Sequence, residues 1–204
     1  MPTDIPATPH THAADLETCL DLVNTVELTD GVPADHIPTA DEALAFLADH
    51  GLAHEADLRR QQERDGDAWL ARLRAARAAL RDLWDAQVEG RAPASDALVT
   101  LNALLECGPR VELRATLAGV QITHDHRRDD PTGEALARAA LPLVEAIATG
   151  RTDRFRICAN DGCRWVFEDS SRAGRRRWCD MSTCGNRAKV RRFRSRRREG
   201  PADR

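Results

Sequence analysis

The segments CANDGC at residues 158–163 and WCDMSTCGNR at residues 178–187 each contain two cysteines with four residues between them. A thiolate pair at this spacing can hold one side of a tetrahedral ion. Two such pairs complete a closed shell of four thiolates, which is how proteins bind structural zinc. Residues 160–162, Asn-Asp-Gly, are turn formers that let the chain bend around a metal. The pattern predicts one structural Zn²⁺, with the ligands Cys158, Cys163, Cys179 and Cys184.

Disulfide pairing in an exported protein is the alternative use of these cysteines. Residues 1–14 are rich in Pro, Thr and His and contain neither a basic cluster nor an apolar core, so we expect no signal peptide. No uninterrupted apolar stretch is long enough to span a bilayer, so we expect no membrane partner. A cytoplasmic protein is expected, where clustered cysteines favour metal over disulfides. Cys19 and Cys107 lie alone among apolar residues and are predicted to be small core side chains.

The charge of the chain is divided unequally between its two parts. From Arg151 onward there are 17 Arg and Lys against 7 Asp and Glu, a net charge of +10. Residues 1–150 contain 13 against 26, a net charge of −13, and the whole chain has −3. An acidic body followed by a basic segment indicates a polyanionic partner for that segment, and nucleic acid is the first candidate.

Residues 185–198 predict a helix with a continuous cationic face, because arginines recur there at steps of four, three and four. Guanidinium groups fit phosphate oxygens and can also bridge guanine O6 and N7 in a DNA major groove. Arg175, Arg176 and Arg177 are expected to grip the adjacent backbone. The candidate nucleic-acid contacts on the helix are Arg187, Lys189, Arg191, Arg192, Arg194 and Arg198. RNA is an open alternative because the phosphate contribution is shared, and a solvated tail is another.

Residues 156–198 resemble the CGNR zinc finger, which is named for the sequence found here at residues 184–187. Phe167, Asp169, the Ser-Arg pair at 171–172 and the run at 176–179 also match this finger. The motif LDLVNT at residues 20–25 resembles the opening of the ABATE domain, described as a putative stress-induced transcription regulator. The resemblance implies a bacterial DNA-binding regulator, associated with the nucleoid and with a stress response.

Apolar periodicity predicts a mainly α fold. A disordered leader over residues 1–13 precedes a helical body over 14–150, and a zinc finger with a basic helix and tail occupies 151–204. The predicted body helices cover about 15–28, 40–50, 55–62, 67–89, 96–107 and 131–149, with a Thr39 capping box and a Ser95 cap. A small hairpin is predicted over residues 111–123.

The finger is predicted to fold like a treble clef, with a knuckle, a hairpin and a helix around one ion. Val190 and Phe193 are expected to pack on its hairpin. Few of its residues are apolar, so the metal should supply most of its stability. The body is expected to fold without the finger, with the boundary at Gly150.

Several polar residues leave alternatives open. Asn24 and Thr25 could line a small-molecule effector pocket, but a tie between a helix end and a neighbouring loop is the default interpretation. Asn186 could bind a sulfur or a backbone carbonyl, or reach adenine, and Asp169 is expected to pair with Arg172 or another arginine in the loop. His124 and His126 could form a second metal site, although an exposed hairpin end is preferred.

We expect no enzyme, because no phosphate-binding glycine loop, nucleophile elbow or metalloprotease motif occurs. The leading hypothesis is a zinc-dependent DNA-binding regulator whose body acts as a sensor or a dimerisation module, giving a homodimer as one candidate assembly. An RNA-binding or ribosome-associated protein and a zinc-stapled protein-interaction module are the alternatives.

Overall fold

The computed structural model describes residues 14–29, 31–117, 119–126 and 129–198, so the predicted leader lies outside the described residues. The mainly helical class is confirmed, and the described part of the chain contains three small antiparallel hairpins among its helices. The helices are α1 (Leu16–Asn24), α2 (Ala40–Asp49), α3 (Glu55–Asp65), α4 (Asp67–Glu89), α5 (Ser95–Leu105), α6 (Pro131–Ala148) and α7 (Asn186–Arg198). The paired strands are β1 (Val26–Thr29) with β2 (Val32–Asp35), β3 (Arg110–Thr116) with β4 (Gly119–Asp125), and β5 (Phe155–Ile157) with β6 (Val166–Glu168).

The predicted helix ends agree with the structure at most positions. Thr39 and Glu42 form the expected capping box at the start of α2, each side chain accepting from the backbone N–H of the other residue. The helix α4 ends at Gly90, which adopts the left-handed conformation with φ +66°. The Ser95 cap is wrong, because Ser95 is already helical and the preceding residue, Ala94, has no side-chain cap.

The first helix is shorter than predicted. We expected a helix to about Leu28, but α1 ends at Asn24 and the chain continues as β1. Strands β1 and β2 contain β-branched residues on either side of an Asp-Gly pair at 30–31, a sequence that favours tight hairpins. Gly31 has φ +85°, which a side chain would oppose. Turn chemistry therefore overrides the helical periodicity at this point.

The helix α4 packs against α1, α2, α3, α5 and α6. Its apolar stripe is buried and includes Trp69, Leu73, Leu80, Leu83 and Trp84. The indole N–H of Trp69 donates to the hydroxyl of Thr132 at 2.6 Å, so the buried polar group is paired. The long periodic pattern over residues 67–89 thus supplies the centre of the body core.

Asp130 joins three helices at the start of α6. Its carboxylate accepts hydrogen bonds from Gln61 of α3 at 2.9 Å and from both terminal nitrogens of Arg72 of α4 at 2.7 and 2.8 Å. It also accepts from the N–H of Gly133 at 3.0 Å and so caps α6. Burial opposes ionisation of this carboxylate, but the hydrogen bonds outweigh burial and hold the pKa of Asp130 well below its usual range. The charged cluster fixes how α3, α4 and α6 pack.

The finger hairpin shares the core of the body. Phe155 and Val166, from β5 and β6, belong to the same buried apolar cluster as the body helices. The rings of Trp84 and Phe155 stack with centroids 3.9 Å apart, and the Trp84 indole donates to the Arg156 carbonyl at 3.1 Å. The predicted boundary at Gly150 therefore separates residues that pack together. Independent folding of residues 14–150 stays a prediction, and such a fragment would leave one face of Trp84 uncovered.

We expect Phe155→Ala to lower the free energy of unfolding of the whole chain by about 3–5 kcal/mol, because it leaves a cavity against Trp84. Urea denaturation followed by helical circular dichroism measures the change. Phe193→Ala is the matched control, since Phe193 is 61% exposed and its truncation removes much less buried surface. Equal losses from the two variants would contradict a core shared by body and finger.

Candidate zinc centre and basic helix

The four predicted cysteine ligands come together. Their sulfur atoms all lie within 4.8 Å of one another. The Sγ–Sγ distances are 3.7 Å for Cys163–Cys179 and 3.7 Å for Cys179–Cys184. A tetrahedron with Zn–S bonds of roughly 2.3 Å has sulfur–sulfur edges of roughly 3.8 Å. The donor set and its dimensions therefore fit one Zn²⁺ in a closed, structural site.

The first two ligands are positioned by the hairpin and a tight knuckle. Cys158 directly follows β5, and its N–H donates to the carbonyl of Trp165 at 2.8 Å. Between the ligands, the Asn160 carbonyl accepts from the N–H of Cys163 at 2.8 Å and of Arg164 at 3.1 Å. Arg164 has a positive φ of 56°, which closes the turn. The knuckle thereby aims two sulfur atoms at one point.

The second pair of ligands lies at the start of the basic helix. Residues Met181–Gly185 form one π-helical turn that contains Cys184 and leads directly into α7. The side chain of Asp180 caps this turn by accepting from the N–H of Thr183 at 2.7 Å. A Cβ on Gly185 would lie 2.7 Å from the Met181 sulfur, so a side chain at this position would displace the flexible end of Met181. The ligand turn and α7 are therefore one continuous element.

The sulfur atoms of the finger are close enough to repel one another as thiolates. Burial raises the pKa of Cys163 to about 11, and burial followed by the charges of Cys158 and Cys163 raises the pKa of Cys179 as well. Burial also opposes ionisation of Cys184, but hydrogen bonds from Asn160 and the neighbouring thiols outweigh it and lower its pKa. A divalent ion compensates the mutual repulsion of four thiolates, so metal binding and deprotonation are linked.

The side chain of Asn160 contacts a zinc ligand, a role that the sequence did not indicate. It is 5% exposed, and its side-chain N–H donates to the sulfur of Cys184 at 3.5 Å. Its side-chain oxygen accepts from the guanidinium of Arg191 at 3.3 Å. The sequence indicated only a turn former at this position. Asn160 in fact connects the first knuckle to the last ligand and to α7.

Asp169 and Arg176 hold the loop that leads to Cys179. The Asp169 carboxylate is buried and accepts from the backbone N–H groups of Ser171 at 3.0 Å and Arg176 at 2.8 Å. Hydrogen bonds from Ser171 and from the Arg176 N–H outweigh burial and hold the pKa of Asp169 at about 2. The expected partner was a guanidinium such as that of Arg172, but the partners of the carboxylate within the described loop are backbone N–H groups.

The predicted arginine contacts divide into internal and exposed groups. The guanidinium of Arg176 donates to the carbonyls of Trp178, at 3.1 Å, and Cys179, and it lies over the Phe167 ring at 4.9 Å. Arg177 lies over the Trp178 ring at 5.3 Å. Exposed residues among the candidates are Arg175, Arg177, Arg187, Lys189, Arg191, Arg192 and Arg194. Arg198 ends α7, and its side chain lies outside the described residues.

The apolar residues of α7 are more exposed than predicted. Val190 is 49% and Phe193 61% exposed, so much of each side chain faces solvent, and their packing on the zinc hairpin stays a prediction. The small second cluster of buried apolar side chains instead consists of Cys158, Phe167 and Cys184. Trp165, Trp178 and the other two ligands pack around it. The metal and its ligands thus form the centre of the finger.

The remaining polar candidates make contacts within the chain. Asn24 donates to the Val166 carbonyl at 2.9 Å and accepts from the Val166 N–H at 3.0 Å, which ties α1 to β6. Thr25 donates to the Leu22 carbonyl at 2.7 Å and accepts from Arg77 at 2.9 Å. The Asn186 amide donates to the Ser182 carbonyl at 2.9 Å. The side chains of Asn24, Thr25 and Asn186 thus all make hydrogen bonds within the protein.

His126, Cys19 and Cys107 are not part of the zinc-ligand cluster. His126 contacts Glu134, whereas the side chain of His124 lies outside the described residues. Cys19 is fully buried, as predicted for a core residue. Cys107 is only partly buried and accepts from Arg72 at 3.2 Å. Among the described residues the four cysteines of the finger form the cluster suited to a metal.

The family comparisons agree with this geometry. Residues 16–150 match the ABATE family, described as "Putative stress-induced transcription regulator". The chain belongs to the ABATE family. Residues 154–197 match the CGNR zinc finger, so all four ligands of this ABATE protein lie inside the matched segment, and the cofactor is one structural zinc. No curated protein matches the chain. Within the described residues, no helix combines the length and apolar composition needed to cross a bilayer.

We expect Cys184→Ser to lose the bound zinc, because a serine hydroxyl does not replace a thiolate ligand. Structural zinc in small fingers is worth ~10–16 kcal/mol at neutral pH, so the region around α7 should lose its order. The body should keep its helical signal because Phe155 and Val166 remain in its core. Metal analysis and circular dichroism test both points. Cys107→Ser, outside the cluster, should retain one zinc per chain, and zinc loss in both variants would contradict the assigned site.

Asn160→Asp should weaken zinc binding by about 10–100-fold, since it removes the N–H donor to Cys184 and adds negative charge beside the thiolates. Competition with a chromophoric chelator measures the affinity. The matched control is Asn186→Asp, the same change at an exposed amide that donates to a carbonyl rather than to a sulfur. Equal affinities for the two variants would exclude a role for Asn160 in tuning the metal site.

Proposed function

We propose that this ABATE protein is a zinc-dependent, DNA-binding transcription regulator of the bacterial cytoplasm, associated with the nucleoid. The helix α7 docks on DNA, and the body serves as a sensor or dimerisation module. The single observation that carries the proposal is the row of exposed basic side chains on a helix that begins at a zinc ligand.

The charge distribution supports docking through the finger. The segment from Arg151 onward has a net charge of +10, and the residues before it have −13. Phosphate groups are attracted to the first and repelled by the second, so the acidic body disfavours other modes of approach. The electrostatic part of binding should therefore come from α7 and the loop before it.

The zinc centre supports a fixed orientation for α7. Cys184 lies in the turn that continues into the helix, and Asn160 contacts both Cys184 and Arg191. A helix anchored at its first turn presents its basic face without further ordering, which reduces the entropic cost of binding. Nucleic-acid affinity should accordingly depend on metal.

The internal contacts of the arginines refine the candidate surface. Arg176 contributes to the zinc loop through two carbonyls and the Phe167 ring, and Arg191 contacts Asn160. Lys189 and Arg194 are exposed on α7, and Arg175 is exposed in the preceding loop. These three side chains are the best candidates for phosphate contacts that can be removed without disturbing the metal site.

Binding of duplex DNA should weaken with salt. For about four to six phosphate contacts, the log–log salt slope should be roughly −4 to −5. The double variant Lys189→Ala with Arg194→Ala should make the slope shallower by about two and retain zinc. Fluorescence anisotropy at several salt concentrations gives the slope. Arg60→Ala with Arg64→Ala, an exposed pair on α3, is the matched control and should leave the slope unchanged.

Other outcomes distinguish the competing functions. An arginine that reads guanine should cost about 1–3 kcal/mol on the preferred sequence only, whereas a phosphate contact weakens all sequences alike. Tighter binding to structured RNA than to duplex DNA at equal salt would favour the RNA alternative. Salt-insensitive binding, or the same loss in the α3 control, would contradict docking through α7. Binding to an acidic protein but not to nucleic acid would favour the protein-interaction alternative.

A further inference from the structure

The hairpin β3–β4 carries an apolar face that is open to solvent. All seven residues of β3 are exposed, although this strand alternates apolar and polar side chains. The pairing places Leu113 opposite Ile122 and Ala115 opposite Val120, so these residues and Val111 share one face. We call this set the hairpin face. Leu113 is 71% and Ile122 61% exposed.

The opposite face of the hairpin is polar. Glu112 lies opposite Thr123, and Arg114 lies opposite Gln121. Arg114 and Glu112 form an ion pair at 2.9 Å on the same strand. Such alternation is typical of a sheet with one buried and one solvated face. An isolated two-stranded hairpin is only marginally stable in water, so this one should gain stability when its apolar face is covered.

We propose that the hairpin face is a dimer interface, on which the hairpin of a second copy of this chain packs face to face. The hairpin face consists of aliphatic residues, with His124 at the register position opposite Val111. It would meet an identical surface while Glu112 and Arg114 of each copy stay in water. Two sheets packed in this way lie about 10 Å apart with their strands nearly aligned. The dimer does not depend on nucleic-acid binding.

The composition of the hairpin disfavours partners of other chemistry. Residues 110–125 contain two arginines, one glutamate and one aspartate, so they offer no net positive charge to a polyanion. They also contain no Trp, Tyr or Phe, the residues that favour the interface of a lipid bilayer. A surface formed by Val, Leu, Ile and Ala is suited to an apolar protein surface, and a second copy supplies one of equal length.

The area of the hairpin face determines how tightly two copies are expected to associate. Seven-residue strands are roughly 24 Å long, and a pair of them is roughly 10 Å wide. The covered surface is therefore a few hundred Å² per copy, less than the ~800 Å² per partner of a standard stable interface. An interface of this size is in the range of weak, transient contacts, so the dimer should dissociate readily on dilution.

Sedimentation velocity on the full, zinc-loaded chain tests the proposal over a wide range of protein concentration, without nucleic acid. We expect the weight-average mass to rise from monomer toward dimer. Leu113→Thr with Ile122→Thr keeps the preference for strand structure but removes apolar surface, and should raise the dissociation constant by at least about tenfold. Arg114→Thr, on the polar face, should leave it unchanged. Zinc content and helical circular dichroism should stay the same in every variant.

Photo-crosslinking of the purified protein locates the contact. A photoreactive residue introduced at Leu113 should yield a covalent dimer of this chain, whereas the same residue at Arg114 should yield little. A monomer at every concentration would overturn the proposal and leave the hairpin face to a different protein. A dimer that persists in the Leu113 and Ile122 double variant would also overturn it, because another surface would then join the copies.

Discussion

The stacking of Trp84 on Phe155 is the contact on which the arrangement of this protein depends. It joins the longest body helix to the first strand of the finger, and the two side chains are almost fully buried. The same seam contains the paired hydrogen bonds of Asn24 to the backbone of Val166, so strand β6 is held as well. Contacts with the body therefore hold both strands of the β5–β6 hairpin independently of the metal. The zinc knuckle extends from this hairpin.

The metal holds the rest of the finger together, because the apolar core of the finger is too small to do so alone. The apolar cluster inside the finger contains Phe167 and the buried ligands Cys158 and Cys184, with two tryptophans at its edge. Polar contacts complete the loop, since Asp169 binds backbone N–H groups and Arg176 binds carbonyls. A closed thiolate site then determines where α7 starts and in which direction it leaves. The basic residues thus have two roles, because some of them build the finger and the rest face solvent.

The helix α7 and the hairpin β3–β4 expose two surfaces of different chemistry. The exposed side of α7 is cationic, and its interactions should weaken as salt screens them. The hairpin β3–β4 is apolar on one side, and contacts made there should respond little to salt. The hairpin belongs to the acidic body, and the negative charge of that body limits where a polyanion can approach. Ionic strength is therefore the variable that separates the two kinds of association.

The sequence alone determined much of this protein, because short-range chemistry governs those features. Cysteine spacing predicted all four ligands, and apolar periodicity predicted α4 and α6 closely. Steps of three and four predicted the cationic helix. The family resemblance, confirmed over residues 16–150 and 154–197, also followed from short motifs.

Only the tertiary structure decided which residues meet across the chain. Asn24 and Val166 are 142 positions apart, and no local pattern indicates that an amide will pair with a distant backbone. Asn160 was identifiable as a turn former but not as a donor to a sulfur, since that role requires the Cys184 turn to fold against the knuckle. Exposure of the hairpin face and of Phe193 was also hidden, because periodicity shows that a face is apolar but not what covers it. Burial is a property of the assembled chain, and it is set by long-range packing rather than by sequence spacing.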